Sequence, residues 1–399
     1  MPSCSVLGTG LYSQASKHAE FGGVFPNLAK REHQLNLVPM LTLALQNAGG
    51  NIKYQITNEK HDASTFDILS SILDREPELL IQLKQYFTEH PENPGFDAIA
   101  VTQGPGLEPA LWVGISFAKA LSFFWNIPLV PVNHMEGHIL SVLMNGEKNP
   151  KSEIRNPKIE FPTVALLVSG GHTELVCVRD WGTYELIGQT RDDAVGEAFD
   201  KVARLLGLPY PGGPQISALA EISRTNAQKT QINTNTNSRV SASDSRTSAI
   251  HLPRPMINSE DFDFSFAGLK TAVLYTVKKI GELSDDQKKE IAREFEDAAI
   301  EVLVAKTKKA LELYNAPTLI IGGGVVANTY LRDEMKKMLA QEFPDVTLLL
   351  PTHELSTDNA VMIGIAGYIA YTKNSNGYGV FLPAHDTLRA HGTLRLHNE

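Results

Sequence analysis

The sequence predicts an α/β protein of two lobes, and three observations carry that prediction. A short apolar strand running into a glycine turn recurs at Thr102-Gln-Gly-Pro-Gly106, Val168-Ser-Gly-Gly171 and Ile321-Gly-Gly-Gly324. Segments of helical apolar spacing lie between those turns, the alternation that builds a sheet covered by helices. With 399 residues and 42% apolar side chains, the chain has material for two or three cored domains.

Taken in order, Ala29 to Leu45 shows apolar residues at helical spacing. Asp97 to Thr102 is a strand, the long apolar segment ending at Trp125 a buried helix, and Pro128 to Val132 the next strand, which together read as a βαβ unit. Val164 to Val168 and Glu174 to Val178 flank a short glycine loop and read as a hairpin. Helical patterns follow at Asp193 to Leu206, Phe266 to Ile280 and Gln287 to Leu313. Thr318 to Ile321 is a strand, followed by a helix reaching about Leu339, a strand at Val346 to Leu350 and a helix from Thr357 to Tyr371. Arg224 to Ser248 is mostly Asn, Ser, Thr and Gln, so it cannot offset its ordering entropy by burial and reads as a flexible insertion.

Composition excludes several classes of function. Thirty-six basic against 45 acidic residues give a formal charge of −9, which argues against a general polyanion binder. No apolar run approaches the roughly 18 residues of a membrane span, and the first ten residues carry no targeting pattern, so a cytoplasmic location is expected. Cys4 and Cys177 build neither a disulfide framework nor a thiolate zinc site. Any metal must therefore use imidazoles and carboxylates.

His134-Met-Glu-Gly-His138 follows a strand, and residues four apart on a helix share a face, so two imidazoles could grip one ion. Two surface or capping histidines would fit the same spacing. In zinc-protease helices the glutamate adjoins one of the histidines, whereas Glu136 sits midway, so peptidase chemistry lacks its base. Asp358, at a helix start, is open to two readings, a third ligand or a capping carboxylate. Ser169-Gly-Gly171 and Gly322-Gly-Gly324 leave backbone N–H groups free to approach a phosphate, which predicts a nucleotide between them and a Gly323→Val block of its binding. No Walker or dinucleotide fingerprint occurs.

Together these motifs, with Phe21-Gly-Gly-Val24, Arg31-Glu-His33, Asp193-Ala-Val-Gly-Glu-Ala-Phe-Asp-Lys201, Tyr210-Pro-Gly-Gly-Pro214, Phe264-Ser-Phe-Ala-Gly-Leu-Lys270, Gly322-Gly-Gly-Val-Val-Ala-Asn328 and Ser356-Thr-Asp-Asn359, resemble one family closely. It is the bacterial tRNA adenosine threonylcarbamoyltransferases of the actin-like ATPase superfamily. The resemblance implies a two-lobed actin-like, ribonuclease-H-like α/β fold with a cleft between lobes. The lobes would span 1–133 and 134–372, with the insertion at 224–248, a last helix at 357–371 that packs back on the N-terminal lobe, and a tail over 373–399. It implies a metal-dependent acyltransferase whose ligands are His134, His138 and Asp358, holding Fe2+ or Zn2+. Leu167, Val168, Ser169, Gly170, Gly171, Asp200, Gly213 and Asn328 would contact threonylcarbamoyl-AMP. No catalytic side chain is assigned.

The implied partners are tRNA, an inactive paralogue of similar fold and a small P-loop ATPase. Given the acidic balance, tRNA would need local patches such as Lys30-Arg31, Lys201 with Arg204, or Arg332 with Lys336 and Lys337, each equally readable as a solvated helix face. The family begins with an apolar hairpin that Met1 to Leu11 does not offer, so an upstream hairpin is expected to be needed for solubility and activity. Two alternatives stay open, a non-catalytic scaffold paralogue of the same complex and a small-molecule kinase of actin-like fold.

Overall fold

The computed structural model describes residues 5–55, 63–144, 159–236, 250–374 and 388–396, with side chains left aside at 228–236. In chain order the elements are α1 (Ala15–Ala19), α2 (Pro26–Ala48), α3 (Ala63–Ile72), α4 (Pro77–Glu89), β1 (Ile99–Gly104), α5 (Glu108–Trp125), β2 (Leu129–Asn133) and α6 (His134–Leu140). Then come β3 (Thr163–Val168), β4 (Thr173–Asp180), β5 (Thr183–Gln189), α7 (Val195–Leu205), α8 (Gly212–Thr236), α9 (Ala267–Ile280) and α10 (Asp285–Tyr314). The chain continues through β6 (Thr318–Gly322), α11 (Thr329–Glu342), β7 (Thr347–Leu349) and α12 (Ala360–Asn374). They form two compact units, the first from Met1–His18, Val24–Pro157 and Pro351–Leu396, the second chiefly from Lys158–Leu350.

In the first unit β1 and β2 pair in parallel, from Ile99 opposite Leu129 to Gly104 opposite Asn133, with α5 as the connection. Pro109 opens α5, where its missing N–H costs nothing, and Asn126 ends it in the left-handed conformation. Phe124 and Trp125 of α5 meet Phe87 of α4, the two phenyl rings stacked 3.7 Å apart, in a core shared with Val38, Leu69 and Leu83. Buried aromatic area of this kind dominates the stability of a helix layer. α12 packs on β1 and β2, and a Cβ at Gly367 would lie 2.4 Å from that of Ala100. Residues 5–14 form no strand, and Gly8 and Gly10 let this segment run directly against the Ala44 and Met40 carbonyls of α2. Leu388 and Ala390 are buried with Ile115, Ala118 and Leu129, and His391 N–H donates to the Gln103 carbonyl at 3.0 Å.

The second unit is a five-stranded sheet in the order β5-β4-β3-β6-β7. β3 and β4 form the expected antiparallel hairpin, while β3, β6 and β7 are parallel. β3 and β6 are buried at every position, consistent with a near-continuous apolar reading for central strands. Val195, Phe199, Phe295, Leu303 and Leu331 carry α7, α10 and α11 into the same core.

Two expectations change, and one strand was not anticipated. The division at 133 gives way because α6 follows β2 without a break and α12 packs on β1 and β2, so His134–Pro157 and Pro351–Leu396 belong with the first unit. α8 runs to Thr236, so the first half of the 224–248 segment is helix; residues 237–249 lie outside the described residues. Its polar composition hid the helix; Arg224, near the start of this stretch, ties it to Glu296. Finally, β5 went unread because Thr183–Gln189 has a mixed burial pattern with no clear alternation.

Candidate functional sites

In the first unit, Asn133 caps α6 by accepting from Met135 N–H at 2.9 Å, which fixes His134 at the first helical position and His138 one turn later. The two rings meet edge to face with centroids 4.7 Å apart. Both Nε2 atoms lie 3.3 Å from the same oxygen, Asp358 Oδ1. One ligand atom from each of the three residues falls within 4.8 Å of the others. Asp358 is not the cap of α12, because Asn359 Oδ1 accepts from Met362 N–H at 2.9 Å. The capping reading of Asp358 therefore falls, and its carboxylate is left to face the histidines.

α6 can approach α12 this closely because residue 137 is glycine; a Cβ there would sit 3.1 Å from Ile363 and 3.2 Å from Met362. His138 is completely buried, and neither of its ring nitrogens makes a hydrogen bond. Asp358 has 75% of its side-chain surface open, so the cluster has a sealed side and an open one. Desolvation raises the Asp358 pKa, but the two imidazoles 3.3 Å from its Oδ1 outweigh it and hold the carboxyl well below the usual range.

In the second unit, Ser169 closes the β3–β4 turn, its Oγ accepting from His172 N–H at 3.0 Å. Two glycines bring neighbours onto this turn. A Cβ at Gly196 would lie 2.5 Å from the Ser169 carbonyl, and one at Gly323, whose φ is +95°, would lie 2.3 Å from the Val168 carbonyl. By contrast, Cβ atoms at Gly170, Gly171, Gly213 and Gly324 would meet nothing within 4 Å. These four positions face open space. The expected role of Gly323 is thereby corrected: its missing Cβ admits the protein's own β3 backbone, so Gly323→Val strikes the fold first.

Asp200 Oδ1 accepts from Gly212 N–H at 2.7 Å and so holds the start of α8 against α7. Burial raises its pKa, and the N–H groups of Gly212 and Gly213 recover only part of that cost. Asn328 caps α11 through Leu331 N–H at 2.9 Å, while its Nδ2 donates to Glu296 Oε1 at 2.7 Å and Ser217 Oγ at 3.0 Å. Ser217 and Glu296 escaped the sequence reading. Glu296 sits in the charged run Arg293-Glu-Phe-Glu-Asp297, yet Ala292, Ala299 and Ile300, one turn before and after it, are all buried. That helical spacing was the available signal.

The basic candidates are mostly engaged. Lys201 lies 2.8 Å from both Asp193 and Glu197, Lys336 and Lys337 face Asp333 and Glu334, and Arg204 and Arg332 donate to the Gly22 and Val326 carbonyls. Among the described residues no helix is long and apolar enough to cross a membrane.

Fold and sites define an α/β protein of two units, one presenting a His-His-Asp cluster and the other open glycine turns at the ends of β3 and β6. The chain belongs to the tRNA N6-adenosine threonylcarbamoyltransferase family, whose model matches residues 5–57 and 90–365. It is 40% identical over 366 residues to the tRNA N6-adenosine threonylcarbamoyltransferase of Chromobacterium violaceum, covering 91% of this chain and 85% of that one. It is 41% identical over 368 residues to the same enzyme of Burkholderia thailandensis, with the same coverage. Among solved structures, full-length HypF aligns with a TM-score of 0.46 at 12% identity, over 75% of this chain and 42% of that one.

Proposed function

We propose that this chain transfers the threonylcarbamoyl group from threonylcarbamoyl-AMP to the exocyclic amine of the tRNA adenosine next to the anticodon. The observation that carries the reading is the family match, which spans every site residue named above. The amine nitrogen forms a bond to the carbamoyl carbon, the bond from that carbon to the phosphate oxygen breaks, AMP leaves with the electron pair, and the amine gives up a proton. Because a mixed anhydride is already activated, alignment of the two reactants and stabilisation of oxyanion charge supply most of the acceleration.

In this reading the glycine turns of the second unit form a cradle for the adenylate. Leu167, Val168, Ser169, Gly170 and Gly171 offer the hairpin turn, Asp200 and Gly213 the start of α8, and Asn328 the start of α11. Backbone N–H groups at open glycines suit a phosphate, which no Cβ keeps at a distance.

His134, His138 and Asp358 would hold one divalent ion. The fit rests on the buried, unbonded nitrogens of His138 and on two imidazoles converging on one carboxylate oxygen. Two imidazoles and a carboxylate favour Zn2+ or Fe2+ over Mg2+, which prefers oxygens, and leave coordination positions open. Bound there, the ion would supply Lewis-acid polarisation to a coordinated oxygen of the substrate. The scaffold alternative is disfavoured by the convergence of all three ligands, which a non-catalytic paralogue has no reason to keep. With most of the candidate basic residues among the described residues engaged, the chain would draw much of its tRNA affinity from companions, an inactive paralogue and a small P-loop ATPase, acting in the cytoplasm.

The test is reconstitution with unmodified tRNA, threonylcarbamoyl-AMP and the companion proteins, followed by mass spectrometry of the digested nucleosides. Threonylcarbamoyladenosine that depends on this chain is expected; none above the chain-free control would sink the reading.

A further inference from the structure

Glu296 is a carboxylate with no exposed surface, on a helix that contributes none of the family-type ligand residues. Buried charge is costly unless it is paired, so such a group is informative when its partners lead to one place. Here they do. Its Oε1 accepts from Ser217 Oγ and from Asn328 Nδ2, both at 2.7 Å, and its Oε2 accepts from Arg224 Nη1 at 2.7 Å. Ser217 Oγ also lies 3.1 Å from the Gly213 carbonyl, and Arg224 stacks 3.5 Å above the Tyr330 ring while reaching Asp297. One carboxylate thus joins the turn that opens α8, at Gly213, to the turn that opens α11, at Asn328.

We infer that Glu296 is a positioning residue of the adenylate cradle: it sets the spacing between the Gly213 turn and the Asn328 turn, and through that spacing the affinity for the AMP moiety. The inference rests on the cradle being the adenylate site. The Asn328 amide has both donors committed to Glu296 and Ser217 and its oxygen to Leu331, so this turn is held by side chains it cannot exchange without moving. Arg224 donates to the second oxygen of Glu296, leaving the first to bind both turns.

The probe is AMP, titrated calorimetrically into the full-length chain and two variants. Glu296→Gln replaces one accepting oxygen with an amide donor where every partner is a donor, and so loosens at least one link. Glu296→Gln with Arg224→Met removes both charges together, so neither is left buried alone if the single change unfolds the chain. A folded variant that binds AMP about tenfold or more weaker, a shift of one decade in dissociation constant, supports the inference. In transfer assays the KM for threonylcarbamoyl-AMP should then rise while kcat stays within about twofold, the pattern of lost ground-state binding. Wild-type affinity in the folded variants overturns it, as does loss of fold in both, which makes Glu296 a purely structural residue. If the unaltered chain binds no AMP, the cradle reading fails first and the inference falls with it; if that chain binds AMP and the variants match it, only the inference falls.

Discussion

His138 Nε2 and Asp358 Oδ1 lie 3.3 Å apart although the whole second unit separates them in sequence. Their meeting depends on α12 packing against α6 across Gly137. His134→Ala and His138→Ala should each reduce bound metal from about one ion per chain to below about a tenth, read by elemental mass spectrometry. The second should also cost about 1 to 3 kcal/mol in denaturant unfolding, because His138 is buried, whereas His134 retains some exposure. Full metal content in either variant would place the ion elsewhere.

Two neighbouring glycines should behave oppositely. Gly323→Ala forces a Cβ toward the Val168 carbonyl at a positive φ, so a stability loss of about 2 kcal/mol or more is expected. Gly324→Ala meets open space and should melt like the parent while weakening AMP. Equal melting temperatures for the two variants would contradict the geometry.

Asp192 caps a helix from a distance. Its Oδ1 accepts from Phe266 N–H at 2.8 Å and Ala267 N–H at 3.2 Å, at the start of α9. Asp192→Ala should cost about 1 to 2 kcal/mol, with Asp192→Asn recovering most of it, measured by urea unfolding. An unaltered unfolding midpoint for the alanine variant would mean that water replaces the cap at no cost.

Segment 388–396 is held at Gly104, where a Cβ would lie 2.0 Å from the His391 carbonyl, and at Asn133, whose Nδ2 donates to the Arg395 carbonyl at 3.1 Å. Gly104→Ala should therefore release it, seen as faster protease cleavage near Leu388 with the rest of the chain intact. Cleavage at the parent's rate would show that the segment finds another seat.

Much of this architecture was legible because periodicity reports burial. β3, β4 and β6 and the helices α5 and α10 follow apolar runs or stripes that only a core would require. The His-His pair was legible from a four-residue spacing, and Asp358 only through the family motif, since its own neighbourhood equally suited a cap. The structure resolved that choice by giving the cap to Asn359. Glu296 was hidden by its charged neighbours, and the role of Gly323 by the fact that sequence shows a glycine but not which atom occupies the space it leaves. The boundary at 133 failed for a related reason: a strand end followed at once by a helix start reads as a junction, and nothing local shows that α6 stays in the unit of the strand before it.

The discontinuity of the first unit also bears on how the protein is made. A ribosome delivers β1, β2 and both histidines early, then synthesises the entire second unit before Asp358 and α12 emerge. During that interval the face of the β1–β2 pair that α12 will cover is bare, and the imidazoles have no carboxylate. Domains that fold as they emerge are most prone to misassembly in this state. The main body of the second unit, residues 158–350, can fold on the way out, whereas the His-His-Asp cluster can be completed only after Asp358 and α12 are released.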